Sequence, residues 1–102
     1  MLTAQSKVTP HPDVIYTSLQ EGSGILLNLL TRQYFTLNES GNRIWLLLSE
    51  GLTLGEISQT LESRYDVTAE RAEQSVIDLV GELVTEQLVL ITHEQVRAEL
   101  ES

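Results

Sequence analysis

Apolar and polar positions follow a strand-like pattern in the first third of the chain and helical spacing beyond it. Val14-Ile15-Tyr16-Thr17-Ser18-Leu19-Gln20 mixes β-branched and aromatic types and predicts a strand over residues 14–20. Glu21-Gly22-Ser23-Gly24 predicts a turn. Ile25-Leu26-Leu27-Asn28-Leu29 is apolar on both faces and predicts a central strand. Leu30-Thr31-Arg32 then turns the chain into a third strand, Gln33-Tyr34-Phe35-Thr36-Leu37. Short turns between successive strands make an antiparallel meander, in which the first and third strands are edges. Residues 1–13 are polar and carry Pro10 and Pro12, so a flexible N-terminal segment is expected there.

From Asn38 the period changes. Asn38 or Ser40 caps a helix over residues 39–50, with Ile44, Leu47 and Leu48 on one stripe, Trp45 on its flank and Gly51 at the left-handed stop. Trp45 has apolar neighbours and reads as core rather than a stacking platform. Thr53-Leu54-Gly55-Glu56 is a capping box for a second helix, with Leu52 and Ile57 placed as a hydrophobic staple. Gly55 there costs about 1 kcal/mol of helix propensity relative to Ala. Arg64-Tyr65-Asp66-Val67 forms the turn, and Thr68 caps the third and longest helix with Glu70 in its first turn. Along that helix Ala72, Val76, Leu79, Val80 and Leu83 keep helical spacing, and Ile77 with Val84 widens the apolar face. Leu88-Val89-Leu90-Ile91 closes the fold as an extended segment. Three antiparallel strands followed by three helices predict an α+β, winged helix-turn-helix-like domain over residues 14–91, with a polar tail over 92–102 that continues as a frayed helix.

Composition narrows what such a domain does. Its 102 residues suffice for one core, and the absence of cysteine removes disulfides and thiolate metal sites. Fifteen acidic residues against six basic ones give a net charge of −9, which repels nucleic acid and anionic membranes. The longest apolar run, residues 25–30, is interrupted by Asn28 and too short for a membrane span, and the N-terminus is no secretory signal, so a cytoplasmic protein is expected. His11 and His93 are isolated, Ser18, Ser23 and Ser40 lack a nucleophile's partners, and acidic pairs such as Glu70/Glu73 and Glu82/Glu86 read as a solvated helix face. Neither catalysis nor a metal or other cofactor is expected.

Leu26-Leu27-Asn28, Tyr34-Phe35-x-Leu37-Asn38-x-x-Gly41-x-x-Ile44-Trp45, Gly51-x-Thr53-x-x-Glu56-Ile57 and Tyr65-x-Val67 form an ordered set. With Val76-x-x-Leu79-Val80-x-x-Leu83 and Leu88-Val89, that set resembles the PqqD-like family over residues 25–91, and most closely its stand-alone members from lasso-peptide biosynthesis. Ser75 and Gln87 depart from the family's frequent Asp and Gly. The resemblance implies a RiPP precursor-peptide recognition element, a non-catalytic peptide chaperone. Such a domain holds the leader of a ribosomally made peptide against its third strand and third helix. It presents that leader to a partner enzyme, either a transglutaminase-like leader peptidase or another modifying enzyme.

The implied peptide-binding residues are Gln33, Tyr34, Phe35, Thr36 and Leu37 on the strand, with Ala72, Val76, Ile77 and Val80 on the helix. Arg71 and Glu73 flank them as readers of leader charge. About four added main-chain hydrogen bonds, at roughly 0.5–1.5 kcal/mol net each, fall short of most of an association cost of about 4–15 kcal/mol. Apolar pockets must therefore choose the leader. Spacing makes Val76 and Leu83 core residues, with Ile77 and Val80 nearer the open side, and a buried Phe35 would cost roughly 3–5 kcal/mol to truncate. The alternatives are a winged-helix DNA-binding regulator, disfavoured by the acidic third helix, and a generic protein–protein adaptor that leaves the strand edge unused.

Overall fold

The computed structural model describes residues 2–93, which form two small sheets, three α-helices and a short 3-10 turn at Gln20–Gly22. Strands β2 (Val14–Ser18), β3 (Gly24–Asn28) and β4 (Gln33–Leu37) form the expected antiparallel meander with β3 in the centre. Its register runs Leu26 opposite both Tyr16 and Phe35, so the residues of β2 and β4 flanking Leu26 share its core-facing side. Helices α1 (Glu39–Ser49), α2 (Leu54–Tyr65) and α3 (Ala69–Thr85) cover that side.

Local chemistry sets the helix ends. Asn38 accepts from the Gly41 N–H at 2.8 Å, so β4 passes into α1 through one residue. Gly51, at φ 90°, follows α1, and its N–H reaches the Leu48 carbonyl at 3.1 Å. The capping box closes in both directions: Thr53 N–H donates to Glu56 Oε1 at 2.8 Å and Glu56 N–H to Thr53 Oγ1 at 3.2 Å. Thr68 accepts from Arg71 N–H at 3.2 Å at the start of α3.

The core is one cluster. Leu26 and Leu37 enter from the sheet, Ile44, Trp45 and Leu48 from α1, Leu54, Ile57 and Leu61 from α2, and Ala72, Val76, Val80 and Leu83 from α3. Trp45 belongs to this interior rather than to a flank, stacked at 6.3 Å on Tyr16, while Leu47 is only half-buried. The Tyr16 hydroxyl donates to Asn42 Oδ1 at 2.6 Å.

Gly24 lies against this pair: a Cβ there would meet Asn42 Oδ1 at 2.5 Å and Tyr16 Cε1 at 2.8 Å. Gly24→Ala is therefore expected to destabilise the fold by about 1–3 kcal/mol, read as a lower urea midpoint with an unchanged m-value.

The flexible segment expected over residues 1–13 is corrected by β1 (Lys7–Pro10), which pairs antiparallel with β5 (Val89–His93) in a separate two-stranded sheet. Proline is tolerated because Pro10 ends the strand, and the next donor, His11 N–H, bonds the Leu88 carbonyl at 3.0 Å. Val8 enters the core at 2% exposure. The segment before it supplies acceptors that α2 needs: Leu54 and Gly55 donate to the Ser6 and Ala4 carbonyls, each at 2.9 Å. A Cβ on Gly55 would lie 3.0 Å from the Ala4 Cβ, so the glycine that weakens α2 lets the chain approach its first turn. The frayed helix expected over residues 92–102 lies outside the described residues, except that Thr92 and His93 extend β5.

Candidate functional site

One long edge of β4 pairs with β3, and among the described residues no strand pairs with the other. Phe35 and Leu37 point to the core side with Leu26; Tyr34 and Thr36 point to the opposite face, where Tyr34 is 71% exposed. Leu37 is sealed in, whereas Phe35 is only half-buried. Phe35 therefore sits on the boundary between core and solvent, and the full-burial cost expected for its truncation does not apply.

Beside this edge runs α3. A hollow of about 390 Å³ has Phe35 on its floor and Ile77, Asp78, Gly81, Glu82, Thr85 and Glu86 along its wall. A second hollow of about 380 Å³ shares Phe35 and Glu82 and continues past Thr36, Leu37, Asn38, Gly41 and Leu79. The two join in one trough along β4. The strand and the helix run in opposite directions there. The Leu37 end of β4 lies by Leu79, while Gln33 pairs with Asn28, whose Nδ2 donates to the Gln87 carbonyl at 2.8 Å beyond the C-terminus of α3. The same Asn28 side chain is buried and accepts from the Leu30 and Thr31 N–H groups at 2.8 and 3.1 Å. It thus fixes both the β3–β4 turn and the foot of α3, and with them one end of the trough.

Not all the expected site residues meet here. Gln33, Tyr34 and Thr36 are exposed along the strand, and Phe35 and Ile77 line the trough. Val76 and Val80 are wholly buried, so the placement of Val80 toward the open side is corrected, and neither valine offers a surface to a ligand. Helical geometry explains this: Ala72, Val76, Val80 and Leu83 form the stripe that meets the core, and one residue further along turns about 100° away. Ala72 is buried beside a different hollow of about 260 Å³ between the helices, which Arg71 also lines. Glu73 is exposed and lines neither part of the trough.

The residues missed are Ser23, Asn38 and Gly41 near the strand and, along α3, Asp78, Leu79, Gly81, Glu82, Thr85 and Glu86. A signal for those along α3 exists, since Gly81 and Thr85 follow Ile77 at four-residue steps and Glu82 and Glu86 follow Asp78 likewise. Chemically the trough offers open main chain, an apolar floor and carboxylates, and among the described residues no lysine, arginine or histidine lines it. Among the described residues no group of acidic and histidine side chains is placed to hold a metal ion. No helix among them is long and apolar enough to cross a membrane.

Fold and site together define a small α+β domain with an open strand edge beside a helix-walled trough. The chain belongs to the PqqD family: the family model described as coenzyme PQQ synthesis protein D matches residues 23–89. Two solved structures share the fold. The structure of TbiB1 in complex with the TbiA(beta) leader peptide superposes with a TM-score of 0.75 at 30% identity, covering 79% of this chain and 93% of that one. Lasso peptide synthetase B1 complexed with the leader peptide gives a TM-score of 0.76 at 25% identity, covering 82% of this chain and 98% of that one. No curated protein matches the chain.

Proposed function

We propose that this protein is a RiPP recognition element: it binds the leader of a ribosomally made precursor, of the lasso-peptide kind, and does no chemistry itself. The leader adds as a strand to the free edge of β4, antiparallel to it, with alternate side chains entering the trough under α3. The carrying observation is that unpaired edge lying beside a half-buried aromatic floor, in a fold whose TbiB1 counterpart is a complex with a leader peptide. Main-chain bonds are blind to sequence, so they supply part of the affinity, and the trough supplies the choice. The held precursor is presented in the cytoplasm to a processing enzyme, and a transglutaminase-like leader peptidase fits this role. A DNA-binding reading is disfavoured because α3, its recognition helix, carries Glu70, Glu73, Asp78 and Glu82 against Arg71.

Hydrogen exchange tests this directly. Adding a synthetic leader peptide of a lasso-peptide precursor is expected to slow exchange of the Gln33–Leu37 amides that face away from β3 by at least about tenfold. Binding without that protection would assign the protein to the adaptor class instead.

A further inference from the structure

Asp78, Glu82 and Glu86 stand at four-residue steps along the α3 wall of the trough, which Phe35 and Gly81 also line. Asp78 accepts a hydrogen bond from Gln74 Nε2 at 2.8 Å, and among the described residues none of the three carboxylates has an ion-pair partner. In a chain of net charge −9 a charged face is ordinary; its pitch here is not. Four residues of helix advance about 6 Å, and two residues of extended chain advance about 6.6–6.8 Å. Successive inward-facing residues of a strand laid on β4 therefore keep step with successive carboxylates. Over two such steps the mismatch grows to only about 1.5 Å, well within the reach of a lysine or arginine side chain.

We infer that the trough selects a leader bearing Lys or Arg two residues before and two residues after an apolar anchor, each cation meeting one carboxylate of this ladder. The inference rests on strand addition to β4 and specifies what that strand carries. The anchor lies over Phe35 opposite Gly81, so its inward-facing neighbours fall near Asp78 on one side and Glu86 on the other. A guest antiparallel to β4 runs parallel to α3, so the residue after the anchor is the one that meets Glu86. The apolar floor lowers the local dielectric, and each pair gains more than it would on an open surface. At this partly open rim each contact still changes affinity by only about two- to fivefold, so the ladder tunes choice while the anchor provides grip.

Selection of random twelve-residue peptides displayed on phage, against the full chain, tests this. Enriched peptides are expected to protect the Gln33–Leu37 amides and to carry basic residues at both positions two away from an apolar residue. Asp78→Asn and Glu86→Gln should each weaken them about two- to fivefold, with a loss that shrinks at high salt. The triple variant Asp78→Lys, Glu82→Lys, Glu86→Lys changes only exposed side chains and should turn the enrichment acidic. Peptides that protect the strand without basic enrichment, or neutral variants that bind them unchanged, would overturn the ladder and leave strand addition standing. A selection yielding no peptide that protects the strand would overturn both.

Discussion

Ile77→Glu is expected to abolish useful leader binding while the domain stays folded. Ile77 is half-buried and lines the trough opposite Phe35, one turn before Gly81. A guest's apolar anchor gains roughly 1.5–3 kcal/mol from burial there, and a carboxylate in its place removes most of that gain. The new charge also joins Asp78, Glu82 and Glu86, so the wall becomes more acidic and better hydrated. Affinity should fall about a hundredfold, equivalent to about 2.7 kcal/mol. Stability should fall by no more than about 1–1.5 kcal/mol, because the residue's own burial is partial. Isothermal titration with the leader peptide, paired with urea unfolding, separates the two quantities. Equal losses in both would show that Ile77 belongs to the core and that the open face of α3 lies elsewhere.

The second large effect is expected at Asn28→Ala. This side chain is 1% exposed and holds three backbone groups: the Gln87 carbonyl and the Leu30 and Thr31 N–H groups. Alanine leaves all three to find other partners at the junction of sheet and helix. Buried unsatisfied groups cost about 1–3 kcal/mol each, and part of this is recovered by water at the rim, so a net loss near 3 kcal/mol is expected. For a domain of this size that lowers the melting temperature by roughly 12–24 °C, which circular dichroism measures. A shift under about 4 °C would make Asn28 a spectator.

What could be read in the sequence was mostly local. Asn38, Thr53 with Glu56, and Thr68 each announce a helix start through a hydrogen bond reaching three residues, and each does so here. The meander was legible because its strands are separated only by short turns. Strand β1 was not, because its partner lies far along the chain; the Thr92 hydroxyl meets the Lys7 carbonyl across 85 residues. Pro10 and Pro12 spoke against a strand, and only the distant β5 overrides them. On α3 the apolar residues fall on two adjoining stripes. Val80 and Ile77 look alike as letters, and packing alone sends one inward and leaves the other on the trough. Glu82 and Glu86 read as ordinary solvated acids until Phe35 is seen opposite them.

β4 has only five residues and runs straight into the α1 cap at Asn38. At about 3.4 Å per residue this is a ruler some 17 Å long, closed at one end by a helix and at the other by the Asn28 turn. A leader added to this edge as proposed would be gripped over little more than half a dozen residues. Under the proposed strand addition, the leader on either side of that grip would stay slack, within reach of the proposed processing enzyme while its short handle stays held.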